Sequence, residues 1–225
     1  MSLLLHIDTA FTEASVSLAK GGQLIDAVTN AVQNDHAAFL QPAIAGLLKK
    51  NNCKLNELSA IAVVAGPGSY TGLRIGMASA KGLCYALNIP LIAINTLELM
   101  AYAFRNNDAD LLCPMIDARR MEVFTALYKP NGQEIQKPEA VILDEDRYKT
   151  LLESSRILFF GNGSVKFMKL VSHHNAFFAK FTGNCSDLSV MSWQFFIKKA
   201  WCDLAYTEPL YIKPFYTPAA VEKPT

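Results

Sequence analysis

The sequence predicts an α/β protein made of two halves that repeat one order of elements: three strands, a helix, a strand and a helix. Three observations carry this reading. Residues 61–88 form an apolar run, a Gly66-Pro67-Gly68 turn and a long helical pattern, which is how a buried parallel strand followed by its crossover helix looks in sequence. An apolar strand ending in aspartate opens the chain at Asp8 and recurs at Asp117. Between them Asn106-Asn107-Asp108-Ala109-Asp110 is the most polar break in the chain, and it divides the halves into 1–106 and 107–225.

Leu3 to Thr9 is apolar up to Asp8-Thr9, Ala14 to Ala19 alternates as a half-buried strand does, Lys20-Gly21-Gly22 turns, and Gln23 to Asn30 alternates again. This is a three-stranded antiparallel meander. A helix follows, with Asp35 as its cap, a stripe of His36, Phe39, Leu40, Ala43, Ile44, Leu47 and Leu48, and a kink at Pro42. Leu55 to Ser59 leads into the strand at Ile61 to Ala65. The next helix starts near Thr71, capped by Ser69 or Thr71 through a hydroxyl that accepts from a first-turn N–H. Leu91 to Ile94 is a second buried strand, after which Thr96 caps a helix through Arg105.

In the second half Leu111 to Asp117 and Glu122 to Tyr128 are strands, and Asn131-Gly132 marks a hairpin. A strand at Ala140 to Leu143, a helix from Asp144 to Ser155, a strand from Ile157 to Phe160, a glycine turn and further helices complete the unit. Pro209-Leu210-Tyr211-Ile212 reads as an edge strand before a Pro-rich end.

The helix after the glycine turn is unusual. Each of Gly72, Gly76 and Gly82 costs it about 1 kcal/mol relative to alanine. Leu73, Met77, Ala80, Cys84 and Leu87 form one apolar line, and Gly72, Gly76, Ser79, Leu83 and Ala86 a second, smaller one. A helix apolar over most of its circumference is covered on more than one side. The first line is expected to face outward, packing with Phe39, Ala43 and Leu47 against a partner, or a second copy when the chain is alone. The turn itself is not a P-loop, since Thr71 stands where the second glycine belongs. Nor is it a dinucleotide fingerprint, which needs its third glycine there.

With a formal net charge of +1 and scattered lysines, the chain has no electrostatic footprint for autonomous nucleic-acid binding. Arg119-Arg120 and Lys198-Lys199 are small basic clusters of the kind usually found on a solvated surface. Five cysteines without Cys-x-x-Cys spacing argue for reduced thiols and a cytoplasmic protein, and no apolar run approaches a membrane span.

Two halves of this order, each opening with a strand that ends in aspartate, point to the duplicated fold of actin, sugar kinases and heat-shock ATPases, an RNase H-like architecture. In active members of that fold such carboxylates hold Mg²⁺-bound phosphate in a cleft. Asp8 with Thr9, Asp117, and Gly161 with Gly163 are the candidate nucleotide cleft. Each of these also reads as an ordinary turn residue, because no glycine follows either aspartate to let backbone donors wrap a phosphate. Weak ATP or ADP binding with Mg²⁺ is therefore the most this pattern supports, and the chain requires no cofactor. His36 has Leu40, not a second histidine, one turn on, so no metal site is expected. No Ser, His and acid set assembles from spacing.

Gly66-Pro67-Gly68-Ser69-Tyr70-Thr71-Gly72-Leu73-Arg74-Ile75-Gly76 closely resembles the signature of the TsaB family, the YeaZ-type, glycoprotease-like bacterial proteins. Ile7-Asp8-Thr9-Ala10, Asn95-Thr96-Leu97, Ile116-Asp117-Ala118-Arg119 and Pro209-Leu210-Tyr211-Ile212 extend the resemblance. It implies an actin-like fold and a non-catalytic part in making threonylcarbamoyladenosine beside the tRNA anticodon, as the partner of a catalytic TsaD-like paralogue and alongside a TsaE-like ATPase. Contact with tRNA would come only through that complex. TsaD-like proteins carry a His-x-x-x-His metal pair, and His36 with Leu40 departs from it. TsaB-like proteins pair through the first two helices, which makes His36, Phe39, Leu40, Ala43, Leu47, Gly72, Leu73, Gly76, Met77, Ala80 and Cys84 the expected interface. The tail departs from the family's Tyr-Leu-Arg, with Tyr211-Ile212-Lys213 and then Pro214-Phe215. The competing reading is an independent enzyme, an actin-fold ATP-dependent enzyme or a glycoprotease-type peptidase.

Overall fold

The computed structural model describes residues 2–32, 35–183 and 185–213. The first half comprises β1 (Leu3–Asp8), β2 (Ala14–Lys20), β3 (Gln23–Asn30), α1 (His36–Lys50), β4 (Leu58–Gly66), α2 (Tyr70–Leu87), β5 (Leu91–Asn95) and α3 (Thr96–Ala103). The second comprises β6 (Leu111–Asp117), β7 (Glu122–Tyr128), β8 (Glu134–Ile142), α4 (Lys149–Ser154), β9 (Ile157–Phe160), α5 (Ser164–Phe167), β10 (Ala176–Ala179) and α6 (Cys185–Ile197). The sheets have the orders β3-β2-β1-β4-β5 and β10-β9-β6-β7-β8, so each is an antiparallel meander extended by two parallel strands. The predicted duplication is present, with the same strand order in both halves.

Packing follows the period-2 alternation of the strands. On β1, Leu3, Leu5 and Ile7 join the cluster that α1 and α2 cover, while Leu4 joins the opposite cluster with Leu188 and Met191 of α6. On β6, Leu111, Cys113 and Met115 pack with Tyr148 and Phe167, while Leu112 and Ile116 pack with Leu97 and Met100 of α3. Helices α1 and α2 thus lie outside the first sheet, α4 and α5 outside the second, and α3 and α6 between the sheets. The last helix of each half packs on the other half's sheet, so residues 185–197 belong spatially with 1–106. Arg105, just beyond α3, bonds Asp187 of α6 at 2.7 Å.

The join between β1 and α6 is polar. His6 is fully buried, with Nε2 2.7 Å from Ser192 Oγ and Nδ1 3.2 Å from Ser17 Oγ. Ser192 donates to Ser189 O at 3.1 Å, which leaves its oxygen to accept from Nε2–H, while Nδ1 accepts from Ser17. Burial pushes the imidazole pKa down to about 4.

Several elements differ from the sequence reading. The cap of α3 is Asn95, whose Oδ1 accepts from Leu97 N and Glu98 N, and Thr96 is the first helical residue. Asp35 makes no capping bond. Strand β8 begins six residues before the expected Ala140, and α4 occupies only part of the predicted 144–155. Strand β10 is a further strand where only helices were expected. Pro209–Ile212 form no strand; Leu210 N donates to Ala65 O at 2.7 Å and ties the segment to the end of β4. The Pro-rich residues from 214 lie outside the described residues. Among those described, no helix is long and apolar enough to cross a membrane.

Candidate functional site

The glycine turn and α2 are built around the segment that follows β1. Ser69 caps α2 by accepting from Gly72 N at 3.3 Å, and Ser69 N itself donates to Ala10 O at 2.7 Å. Thr9 is wholly buried, and its Oγ1 donates to Gly72 O at 2.8 Å. A Cβ on Gly68 would collide with Ala10 O, one on Gly72 with Thr9 O, and one on Gly76 with Thr9 Oγ1. The glycines are needed because loop 9–11 crosses the start of α2 in backbone contact. At Ser69 and Gly72 the first-turn N–H groups, which elsewhere hold phosphate, bond this chain's own oxygens.

The two aspartates fall in different places. Asp8 continues the face of Leu4 and His6 toward α3 and α6, and it lines a cavity of about 140 Å³. Burial pushes its carboxyl up to about 6, against the bond it accepts from Ala10 N at 3.0 Å and the nearby His36; Glu13 adds to the rise. Asp117 continues the opposite face of β6, that of Cys113 and Met115. It lines an open cleft of about 900 Å³ whose other walls include His36, Ser69, Tyr70, Arg119 and Asn162. Its Oδ1 meets Lys166 Nζ at 2.5 Å and accepts from Arg119 N at 2.6 Å. Desolvation opposes ionisation here, but these two partners outweigh it and hold the carboxyl below the usual range. Phe11 and Phe181, with ring centroids 6.3 Å apart, line both spaces and stand between the carboxylates. The expected pair facing one cleft is therefore not assembled.

The remaining candidates of that cleft are packed inward. A Cβ on Gly161 would meet Met115 O, and one on Gly163 would lie 3.0 Å from the carbonyl carbon of Ile116. Gly163 N donates to Met115 O at 3.0 Å, and Ser164 Oγ to Gly161 O at 2.8 Å, so this loop is a close-packed turn on β6.

His36 Nε2 donates to Phe11 O at 3.0 Å, and its buried Nδ1 has no partner among the described residues. Leu40 lies in the core. Among the described residues no group of three or more His, Cys, Asp or Glu is placed to hold a metal.

The helix pair also differs in orientation from the expected interface. Leu73, Met77, Ala80 and Cys84 are at most 3% exposed, and Leu40, Ala43 and Leu47 are likewise buried. This line faces the sheet because it carries the larger apolar area of the two. Gly72 and Gly76 are also buried, under Thr9. The surface that α1 and α2 offer includes the exposed small residues Ala45 and Gly46 of α1 and Ala78, Gly82 and Ala86 of α2, with exposed Arg74 and Tyr85 and half-buried Phe39, Ile75 and Ser79. Gly46 and Gly82 are helical glycines at which a Cβ would meet nothing within 4 Å, so no contact among the described residues accounts for them. Helix propensity is the signal that marks both in the sequence.

A strap closes the lobes over this helix. Lys81 Nζ donates to Ala205 O at 3.1 Å and Thr207 O at 3.0 Å, Tyr211 lies 5.0 Å from the Tyr70 ring, and Lys213 pairs with Glu122 of β7 at 2.5 Å. Arg119, Arg120 and Met121 form the β6–β7 turn with three consecutive positive φ angles of 70°, 42° and 60°, uncommon for residues with side chains. Sequence reading marked the arginines but had no signal for their conformation.

Residues 27–207 match the family model described as TsaD: tRNA N6-adenosine threonylcarbamoyltransferase. The chain is 34% identical over 162 residues to the tRNA threonylcarbamoyladenosine biosynthesis protein TsaB of Bacillus subtilis, covering 71% of this chain and 70% of that protein. To TsaB of Buchnera aphidicola (subspecies Baizongia pistaciae) it is 32% identical over 175 residues, 75% of this chain and 79% of that one. A Pseudomonas aeruginosa crystal structure, of a protein described as similar to the peptidase YeaZ, superposes with a TM-score of 0.80 at 26% identity, over 95% of this chain and all of that one. With the duplicated sheets and the glycine turn locked onto loop 9–11, these similarities place the chain in one family: it belongs to the TsaB family.

Proposed function

We propose that this chain acts in tRNA threonylcarbamoyladenosine biosynthesis as a non-catalytic subunit that pairs with a TsaD-like catalytic paralogue through the outer face of α1 and α2. It requires no cofactor of its own, works with a TsaE-like ATPase, and meets tRNA only within the assembly. Alone, the same face drives homodimerisation. The relatives named TsaB supply the process. The observation that carries the partner face is the pair of outward glycines, Gly46 and Gly82, inside helices that gain nothing from them among the described residues. Glycine in a helix interior costs about 1 kcal/mol relative to alanine, and its use here is to let another backbone come close.

The test is Gly82→Trp, because the open space around Gly82 lets the monomer accept the side chain. Sedimentation velocity with the cognate TsaD-like protein should show loss of the complex while circular dichroism stays unchanged. Intact assembly of a folded Gly82→Trp variant removes the proposed face. Met77→Asp serves as the contrast: with Met77 3% exposed in the core, an unpaired carboxylate there should prevent folding.

A further inference from the structure

The cavity at Asp8 adjoins the open cleft, sharing Phe11, Glu13 and Phe181 with it, and is not used by the proposed function. It runs inward between the first sheet and helices α3 and α6. Exposed Glu13, Thr29 and Gly183 lie at its mouth, and buried Thr96 and Leu188 lie deeper. Its lining has two characters. Asp8, Glu13, Ser15, Thr29 and Thr96 bring two carboxylates and three hydroxyls, whereas Leu99, Met100 and Leu188 are apolar. Thr96 is fully buried, and its Oγ1 has no hydrogen-bond partner among the described residues. Buried hydroxyls are normally bonded, so this atom marks a missing polar partner. Among the described residues no Lys or Arg lines the cavity that Asp8 and Glu13 share, and His36, which favours the Asp8 carboxylate, lines the open cleft instead.

We propose that this cavity binds a small primary ammonium compound with a short aliphatic body. The ammonium has three donors and no acceptor, which suits two carboxylates and the Thr96 hydroxyl, and the aliphatic part covers Leu99, Met100 and Leu188. Size favours an organic cation over a bare metal ion. One water-sized sphere needs only about 10–15 Å³ of such volume, and the cavity offers about 140 Å³. It is therefore built for several heavy atoms. The site deals in charge and shape and involves no covalent step.

The experiment uses the full chain with methyl-labelled Met and Leu, followed by NMR during titration with n-propylammonium chloride. The expected result is a saturable shift of the Met100 methyl, with no comparable shift from n-propanol, which matches its shape without the charge. Asp8→Asn should weaken binding about tenfold or more, the usual scale for a charge-assisted bond. Should Asp8→Asn fail to fold, Thr96→Val decides, with weaker binding expected in a variant of nearly identical shape. An equal response to n-propanol, an equal response to sodium chloride, or unchanged affinity in folded Asp8→Asn or in Thr96→Val overturns the proposal. Binding of Nα-acetyl-lysine amide without binding of n-propylammonium would assign the cavity to a protein side chain, and would overturn it as a small-molecule site.

Discussion

Thr9 Oγ1 donates to Gly72 O at 2.8 Å and occupies the space where Gly76 would carry a Cβ. One buried threonine thus fixes two of the glycines that define α2, Gly72 through its backbone carbonyl and Gly76 through its hydroxyl. Gly76→Ala should destabilise the chain by about 1–3 kcal/mol, the range for an extra methyl in a close-packed core. Thr9→Ala should relieve that clash, so Gly76→Ala should cost much less in the double variant. Urea denaturation of the four proteins in the cycle measures the coupling, and additive costs would show that the contact does not limit α2.

His6 and Asp8 oppose each other in acid. The folded-state pKa of His6 is depressed to about 4, so the unfolded chain takes up its proton first, and stability is lost as pH falls from about 6.5 to about 4. Asp8 is raised to about 6, so the folded chain protonates first, and stability is gained as pH falls from about 6 to about 4. Each shift corresponds to about 3 kcal/mol, which leaves the pair nearly balanced. Asp8→Asn should remove the gain and expose the His6 loss. Stability of the variant should then fall by about 3 kcal/mol relative to wild type on going from pH 7 to pH 4, read from chemical denaturation across that range.

Nucleotide should bind weakly and go unhydrolysed by the isolated chain. Ser69 N and Gly72 N at the start of α2 bond Ala10 O and Ser69 Oγ, and Asp117 is engaged by Lys166. Calorimetric titration with Mg²⁺-ATP should give no tight binding to wild type or to Lys166→Ala. Submicromolar affinity lost in Asp117→Asn would identify a functional nucleotide cleft.

Lys81→Ala should release the strap without unfolding the lobes. The two bonds it makes to Ala205 O and Thr207 O are partly exposed, so the cost should be about 1 kcal/mol or less. Limited proteolysis should cut the variant faster between residues 203 and 210, and an unchanged cleavage rate would assign the hold on the strap to Leu210 and Tyr211.

Local pattern determined a large part of this protein. The duplicated element order, the Ser69 cap, the hairpin at Asn131-Gly132 and the family-specific glycine turn are all contained in short stretches of sequence, because caps, turns and periodicity are local properties. The tertiary structure decided what depends on partners distant in the chain. Strand β10 is four residues long and exists through its parallel pairing with β9, and β8 shows little alternation apart from its pairing with β7. Residues 3–5 and 111–116 are apolar on both faces, so periodicity could not tell that Asp8 points between the sheets while Asp117 points outward to Lys166. The same limit applied to α2, where two apolar lines lay side by side and the sheet took the one with larger side chains. Thr96 has the residue type of a cap, but Asn95 holds that role, and the threonine hydroxyl lies in the cavity beside Asp8. Local chemistry sets which elements form, whereas burial is a property of the assembled layers and sets which face of each element is left to do chemistry.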